Sequence, residues 1–357
     1  MTTKKFPEPK EILKNLSNAF GPSGHEDDVR AYIQELIKPL VDEIRVDALG
    51  NLIAHRKGAG KRLMLDAHTD EVGLVVRYIS REGYLKFAPL GGWDSRLFAG
   101  QRVQLRTREG KEYHGVIGMA PPHVLSPDQA DKAIKTEDYF IDIGAESADE
   151  VAERGVNIGD PGVLESSFTE LAKNVYVGKA FDDRAGCLML ILLLKDMADC
   201  KIKTDMDVYA NFATSEELGL RGAGPAAFAI APDVALALEG TIGADFPGVP
   251  EDKRPCAQRR GPVITMIDKS VAVPKKMTDF LMKCANKEKV PYQIKMPIYG
   301  GTNAGAIHQS RAGVLCGSVA IPCRYIHSSN STIYWPDVEH TMKLLKRVVE
   351  DIHTIAG

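Results

Sequence analysis

The stretch that most constrains this chain is a short apolar run ending in two adjacent carboxylates. Val208 to Ala213 reads as a buried strand, and the polar segment Thr214-Ser215-Glu216-Glu217-Leu218-Gly219 breaks it. In open α/β sheets, ligands bind beyond the C-terminal ends of the strands. Neighbouring side chains at such an end point in different directions, so one carboxylate can hold a metal while the other faces a substrate. A metal hydrolase needs that division: ligands that fix the ion, and a free base that takes a proton from water. A solvated strand-to-helix turn, with Glu in the first helical turn where the macrodipole favours it, would use the same residues.

The remaining chain decides between these readings. Its 357 residues exceed one typical domain, so two are expected. A net charge of −3 offers no basic surface for nucleic acid. The six cysteines are scattered, without Cys-x-x-Cys, which argues against a zinc ribbon or disulfide framework and for a reducing compartment, the cytoplasm. The N-terminal segment Met1-Thr-Thr-Lys-Lys-Phe-Pro has no apolar signal core. The longest strongly apolar run, Cys187 to Leu194, is too short to span a membrane.

Helical spacing covers 8–20, stops at Gly21-Pro22, and resumes after the turn at Ser23-Gly24-His25 until near Pro39. His25 reads as a turn residue. Residues 43–57 form a hairpin around Gly50-Asn51. Arg62 to His68 is a buried strand ending in His68-Thr69-Asp70-Glu71. There an imidazole ligand and a carboxylate to steady it lie close together, although a capped turn with a buried His would look the same. From about 71 to 164 short β-type segments alternate with glycine turns, which predicts a small inserted β-rich module or barrel. His114 and His123 within it read as structural or surface residues.

The β/α alternation resumes after Phe168. A strand at Val175 leads through Asp182-Asp183 into an apolar helix over 185–198. The two aspartates could cap that helix or hold a cation, since one carboxylate can bridge two ions. The run from Asp233 is a buried strand predicted to end at Glu239. Lys253, Arg254, Arg259 and Arg260 fall in a polar loop, either solvated or facing a substrate. The turn Tyr299 to Gly305 opens a helix, and its N–H groups could meet an anionic or carbonyl group. A strand over 314–321 leads to Arg324-Tyr325-Ile326-His327, and an amphipathic helix over 336–355 closes the chain.

Five nitrogen and oxygen donors therefore fall at or near strand ends: His68, Asp182, Glu217, Glu239 and His327. That set matches a two-metal hydrolytic centre with one bridging carboxylate, and it leaves Glu216 over as a base. A glycosidase would need a carboxylate pair at a set separation and no two-His cluster.

The segments Ala67-His68-Thr69-Asp70-Glu71-Val72-Gly73, Lys179-Ala-Phe-Asp182-Asp183-Arg184-Ala-Gly186, Thr214-Ser-Glu216-Glu217-Leu-Gly219, Gly300-Gly-Thr-Asn303-Ala-Gly-Ala-Ile-His308 and Arg324-Tyr-Ile-His327-Ser328 closely resemble the M42 family of metalloaminopeptidases. Gly91-Gly92-Trp93-Asp94 and Pro121-Pro122-His123 resemble it too. The resemblance implies a mixed-sheet α/β/α metallopeptidase domain built from 1–70 and 165–357, with a PDZ-like dimerisation domain inserted at 71–164. It implies two divalent metal ions per subunit, zinc, cobalt or manganese. His68 and Glu239 would hold terminal places, as would Glu217 and His327, and Asp182 would bridge. Glu216 would be the general base, Asp70 would back His68, and the Asp182–Asp183 peptide would be cis. The implied substrates are peptides with a free N-terminus, and the implied assembly is a homo-oligomer of dimers forming a dodecamer. Many members carry Asp where this chain has Glu239 and Asn303, so a role for Asn303 in holding a substrate amine is not expected to carry over.

Overall fold

The computed structural model describes residues 5–126, 132–295 and 299–356. Two sheets organise the described residues. The first is mixed and eleven-stranded, and its main path runs Glu43–Val46, Leu52–Arg56, Asp207–Ala213, Arg62–His68, Val234–Gly243, Leu315–Arg324, Ser331–Tyr334, Val175–Gly178 and Thr169–Ala172. Val263–Thr265 pairs with Leu315–Arg324 off this path, and Gln293–Lys295 pairs with Val263–Thr265. The four strands from Asp207–Ala213 to Leu315–Arg324 are mutually parallel. Their C-terminal ends consequently open on one side of the sheet, where the candidate ligands lie.

Parallel strands covered on both faces read as continuous apolar runs. Leu63, Met64, Leu65 and Ala67 are fully buried, as are Val234 to Ala237. The helix Phe181–Ala198 packs on Arg62–His68 and Val234–Gly243, with Pro9–Asn18, Asp27–Ile37 and Trp335–Asp351 packed around it. Leu188, Leu190, Leu193 and Leu194 are fully buried, each contributing roughly 1.5–3 kcal/mol. This run is a buried core helix.

The second sheet is a closed six-stranded barrel in the order Gly73–Ile79, Leu85–Leu90, Phe140–Asp142, Glu112–Gly118, Arg102–Arg106 and Pro161–Leu164. Leu74, Phe87, Phe98, Leu105, Ile117 and Ile141 fill it as a core separate from that of the main sheet. Closure leaves no free strand edge.

Several element boundaries differ from the expectations. Glu239 does not end its strand, because Val234–Gly243 stays paired with Leu315–Arg324 as far as Gly243. His327 lies three residues past Arg324 with φ +55°, in the loop before Ser331–Tyr334. The turn after Tyr299 opens a helix of four residues only, Ala304–Ile307. The apolar helix is assigned from Phe181, but Asp182 and Asp183 have non-helical dihedrals and the peptide between them is cis. Phe140–Asp142, Pro161–Leu164, Thr169–Ala172, Gln293–Lys295 and Ser331–Tyr334 are further strands, all too short for periodicity to reveal. No helix among the described residues is long and apolar enough to cross a membrane.

Candidate metal centre

Strand ends, turns and loops beside the parallel strands bring the expected ligands together. His68 is the last residue of its strand, level with Ala213 of the neighbour. Beyond Ala213 the chain turns sharply at Ser215, φ +52°, which presents Glu216 and Glu217. Asp182 enters from the break before its helix, and His327 from the loop after Arg324.

Asp182 sits between two groups. Its Oδ1 lies 3.4 Å from His68 Nε2, and its Oδ2 lies 3.8 Å from His327 Nε2. On the His68 side, Glu239 Oε2 is 3.8 Å from the same nitrogen. On the other side, Glu217 Oε1 is 3.2 Å from His327 Nε2. Glu216 Oε2 lies 3.9 Å from His68 Nε2. Two three-residue clusters result, His68–Asp182–Glu239 and Asp182–Glu217–His327, sharing Asp182. Glu216 also groups with His68 and Glu217. A tetrahedral ion bound at 2.0–2.2 Å needs donors roughly 3.3–3.6 Å apart, so these separations suit an ion of zinc's size.

The charge balance points the same way. Burial raises the carboxyls of Glu216, Glu217 and Glu239, and neighbouring carboxylates add to the rise. His68 is well above the ordinary imidazole value despite its burial, because Asp182 and Asp70 hold it. His327 is raised to about 9; burial opposes this, and Glu217 and Asp182 outweigh it. Four carboxylates meet with only two imidazoles between them, an arrangement that holds on to protons and that cations would satisfy.

A second layer fixes these groups. Asp70 is fully buried. Its Oδ1 accepts the Glu216 N–H at 2.9 Å and lies 3.2 Å from His68 Nδ1. Its Oδ2 accepts the Ser23 hydroxyl at 2.6 Å and the Glu217 N–H at 3.1 Å. Burial pushes the Asp70 carboxyl up, but these partners bring it below its ordinary value. The Asp70 carbonyl oxygen also lies 3.2 Å from His68 Nδ1, so this one residue orients His68 and the Glu216–Glu217 backbone together. Glu26 accepts the N–H groups of Gly24 and Ser215 through Oε1. His327 Nδ1 is 2.7 Å from the carbonyl oxygen of Gly92, so a loop leaving the barrel steadies the loop that carries His327.

Asn303 is fully buried beside the centre. Its N–H donates to Glu239 Oε1 at 2.9 Å and its Nδ2 to Asp66 Oδ2 at 2.8 Å. The anionic group met by this turn is therefore the chain's own Glu239. Asp66 also accepts from Asn211, and burial raises its carboxyl to about 6. Sequence reasoning missed Ser23, Glu26, Asp66 and Asn211; a buried polar residue inside an apolar strand, as at Asp66 and Asn211, is the one signal that could have found two of them. His25 donates its N–H to Pro22, as a turn residue would, and His114 pairs at the surface with Glu165. Lys253, Arg254, Arg259 and Arg260 are exposed and do not line the pocket beside the centre.

Comparison with known proteins agrees with the motifs. The family model for M42 glutamyl aminopeptidase matches residues 50–344. This chain belongs to that family. A TET aminopeptidase structure from a marine-sediment Thaumarchaeota archaeon superposes with a TM-score of 0.93 at 40% identity, covering 96% of each chain. The lysyl aminopeptidase of Pyrococcus furiosus is 33% identical over 96% of this chain and 97% of its own. The Pyrococcus horikoshii TET1 peptidase, described as able to assemble into a tetrahedron or a large octahedral shell, matches at TM-score 0.84 and 32% identity, over 96% of this chain and 99% of its own. The chain is an aminopeptidase-family hydrolase with a mixed α/β fold and a small closed barrel.

Proposed function

We propose that this chain removes N-terminal residues from peptides with two divalent ions bound at His68, Asp182, Glu217, Glu239 and His327, and with Glu216 as general base. The observation that carries the reading is Asp182, which turns one oxygen toward His68–Glu239 and the other toward Glu217–His327. Mixed imidazole and carboxylate donors suit zinc, cobalt or manganese. When bound, such ions polarise the scissile carbonyl and acidify an attacking water.

The chain's own residues do the rest. The Glu216 carboxylate, mostly buried beside His68, accepts the proton of the attacking water and returns it to the leaving nitrogen. Asp70 keeps Glu216 in place through its backbone N–H and fixes the tautomer and tilt of His68. Glu239 is fixed by the Asn303 N–H, and Asn303 turns its amide to Asp66 rather than to a substrate. The acidic end of the pocket accepts the free N-terminal amine, which an acetylated peptide lacks.

The same reading extends to the assembly: a cytoplasmic homo-oligomer, with the barrel of 71–164 as dimerisation domain and dimers forming a dodecamer. Light scattering tests the mass. The replacement Glu216→Gln tests the base. It should retain both metal equivalents and lose turnover; turnover near wild type would remove Glu216 from the mechanism.

A further inference from the structure

The pocket beside the centre encloses about 320 Å³. Its wall carries Asp182, Glu216, Glu217 and Glu239. Another part of its wall is Lys295, the last residue of the strand Gln293–Lys295. Lys295 is 3% exposed. Among the described residues its ammonium has no hydrogen bond and no ion pair. The basic side chains of the nearby loop do not compensate for this, being exposed away from the pocket. Asp245 lies close to the same region, but both its oxygens are taken by Arg324 at 2.8 and 2.6 Å. The Cys256 thiol, which feels the Lys295 charge, is pushed up by burial to about 12 and supplies no anion.

Long cationic side chains in folded proteins are almost never so little exposed unless paired. Here the residue is part of the wall of a cavity that is also lined by the hydrolytic groups. We propose that Lys295 is a specificity residue that pairs with the side-chain carboxylate of an acidic N-terminal residue of the substrate. The inference rests on the aminopeptidase reading above. The charges on the pocket wall match both groups of such a ligand: carboxylates for the terminal amine, and an ammonium for the side chain. Ile242 and Ile326, also on the wall, supply apolar surface for the intervening methylenes. Family membership does not make this choice, since the matching family is described as glutamyl while a relative of similar length is named lysyl.

The test is metal-loaded protein acting on Glu-Ala-Ala, Gln-Ala-Ala, Leu-Ala-Ala and Lys-Ala-Ala, read as kcat/KM by release of the free amino acid. Glu and Gln are isosteric, so their ratio reads charge alone. One charge-assisted hydrogen bond to a buried partner corresponds to a Glu/Gln ratio of at least about tenfold. In Lys295→Met the ratio should fall to near one, and in Lys295→Glu the Lys peptide should overtake the Gln peptide. A wild-type Glu/Gln ratio at or below one, with Gln or Leu released, overturns the inference and leaves the aminopeptidase reading standing. A ratio unchanged in Lys295→Met overturns it equally. If the variants do not fold, the wild-type ratio alone decides. Release from no peptide under any metal would overturn the aminopeptidase reading, and this inference with it.

Discussion

Asp70→Asn probes how far one buried carboxylate holds the centre together. The replacement keeps shape and volume but exchanges one acceptor oxygen for an NH2 donor. In the wild type each oxygen receives a backbone N–H: Oδ1 from Glu216 and Oδ2 from Glu217. Whichever way the amide is turned, its NH2 faces one of those N–H groups, and a buried donor loses its partner. An unmade buried hydrogen bond costs about 1–3 kcal/mol. The carboxylate charge 3.2 Å from His68 Nδ1 is also lost, although the Asp70 carbonyl oxygen stays at 3.2 Å from that nitrogen, and weakened support for a metal-binding histidine typically lowers affinity about 10–100-fold. Because Asp70 supports both His68 and the backbone of Glu217, the weakening should reach both halves of the centre. The assay is competition between metal-free protein and a chromophoric chelator, resolving the two equivalents. Both affinities should fall about tenfold or more, with a lower melting temperature. A fall at one equivalent only, or at neither, would refute the claim that this carboxylate couples the two halves.

Three other changes test neighbouring parts of the account. In Gly240→Ala the new methyl would lie 2.8 Å from Asp182 Cα and 3.0 Å from its Oδ1; overpacking of this kind costs about 1–3 kcal/mol, and both metal equivalents should weaken when the shared ligand is displaced. Glu239→Asp withdraws the carboxylate by about 1.5 Å, so it cannot hold the Asn303 N–H and still face His68; chelator competition should show one equivalent weakened and the other retained. Burial, with Asp70 adding, raises the Glu26 carboxyl above its ordinary value, so ionised Glu26 costs the folded state stability at neutral pH, a cost that disappears as the pH falls below the unfolded value. Glu26→Gln keeps an oxygen for the Gly24 and Ser215 N–H groups and should therefore melt above wild type at pH 7 and level with it near about pH 4; an equal or lower melting point at pH 7 would contradict this.

The parts of the centre legible in the sequence are those that follow unbroken apolar runs. His68 ends a buried strand and Glu217 stands just beyond one, where hydrophobic continuity gives way to polar residues, and parallel topology brings such ends together. The supporting layer is less legible because its partners are distant in the chain: Asn303 meets Asp66 across 237 positions, and Gly92 meets His327 across 235. Neither pairing leaves a local pattern. Glu239 looks like a strand end in the sequence because its carboxylate and Gly240 interrupt the apolar run, but both remain in the ladder. The barrel was visible in its longer strands, whereas Phe140–Asp142 and Pro161–Leu164, which complete it, are too short to show alternation. The exposed cations of the 243–261 loop stand out in a sequence because they cluster, while the burial of Lys295 depends on strand pairing that no local signal announces.

The central claim is tested most directly by stripping the protein with a chelator and adding back Zn²⁺, Co²⁺ or Mn²⁺ before incubation with unblocked peptides and their N-acetylated copies. Free amino acid should appear only with metal, only from unblocked peptides, and with activity saturating at two equivalents per chain. Release that persists without metal, or that proceeds equally from acetylated peptides, would contradict the account.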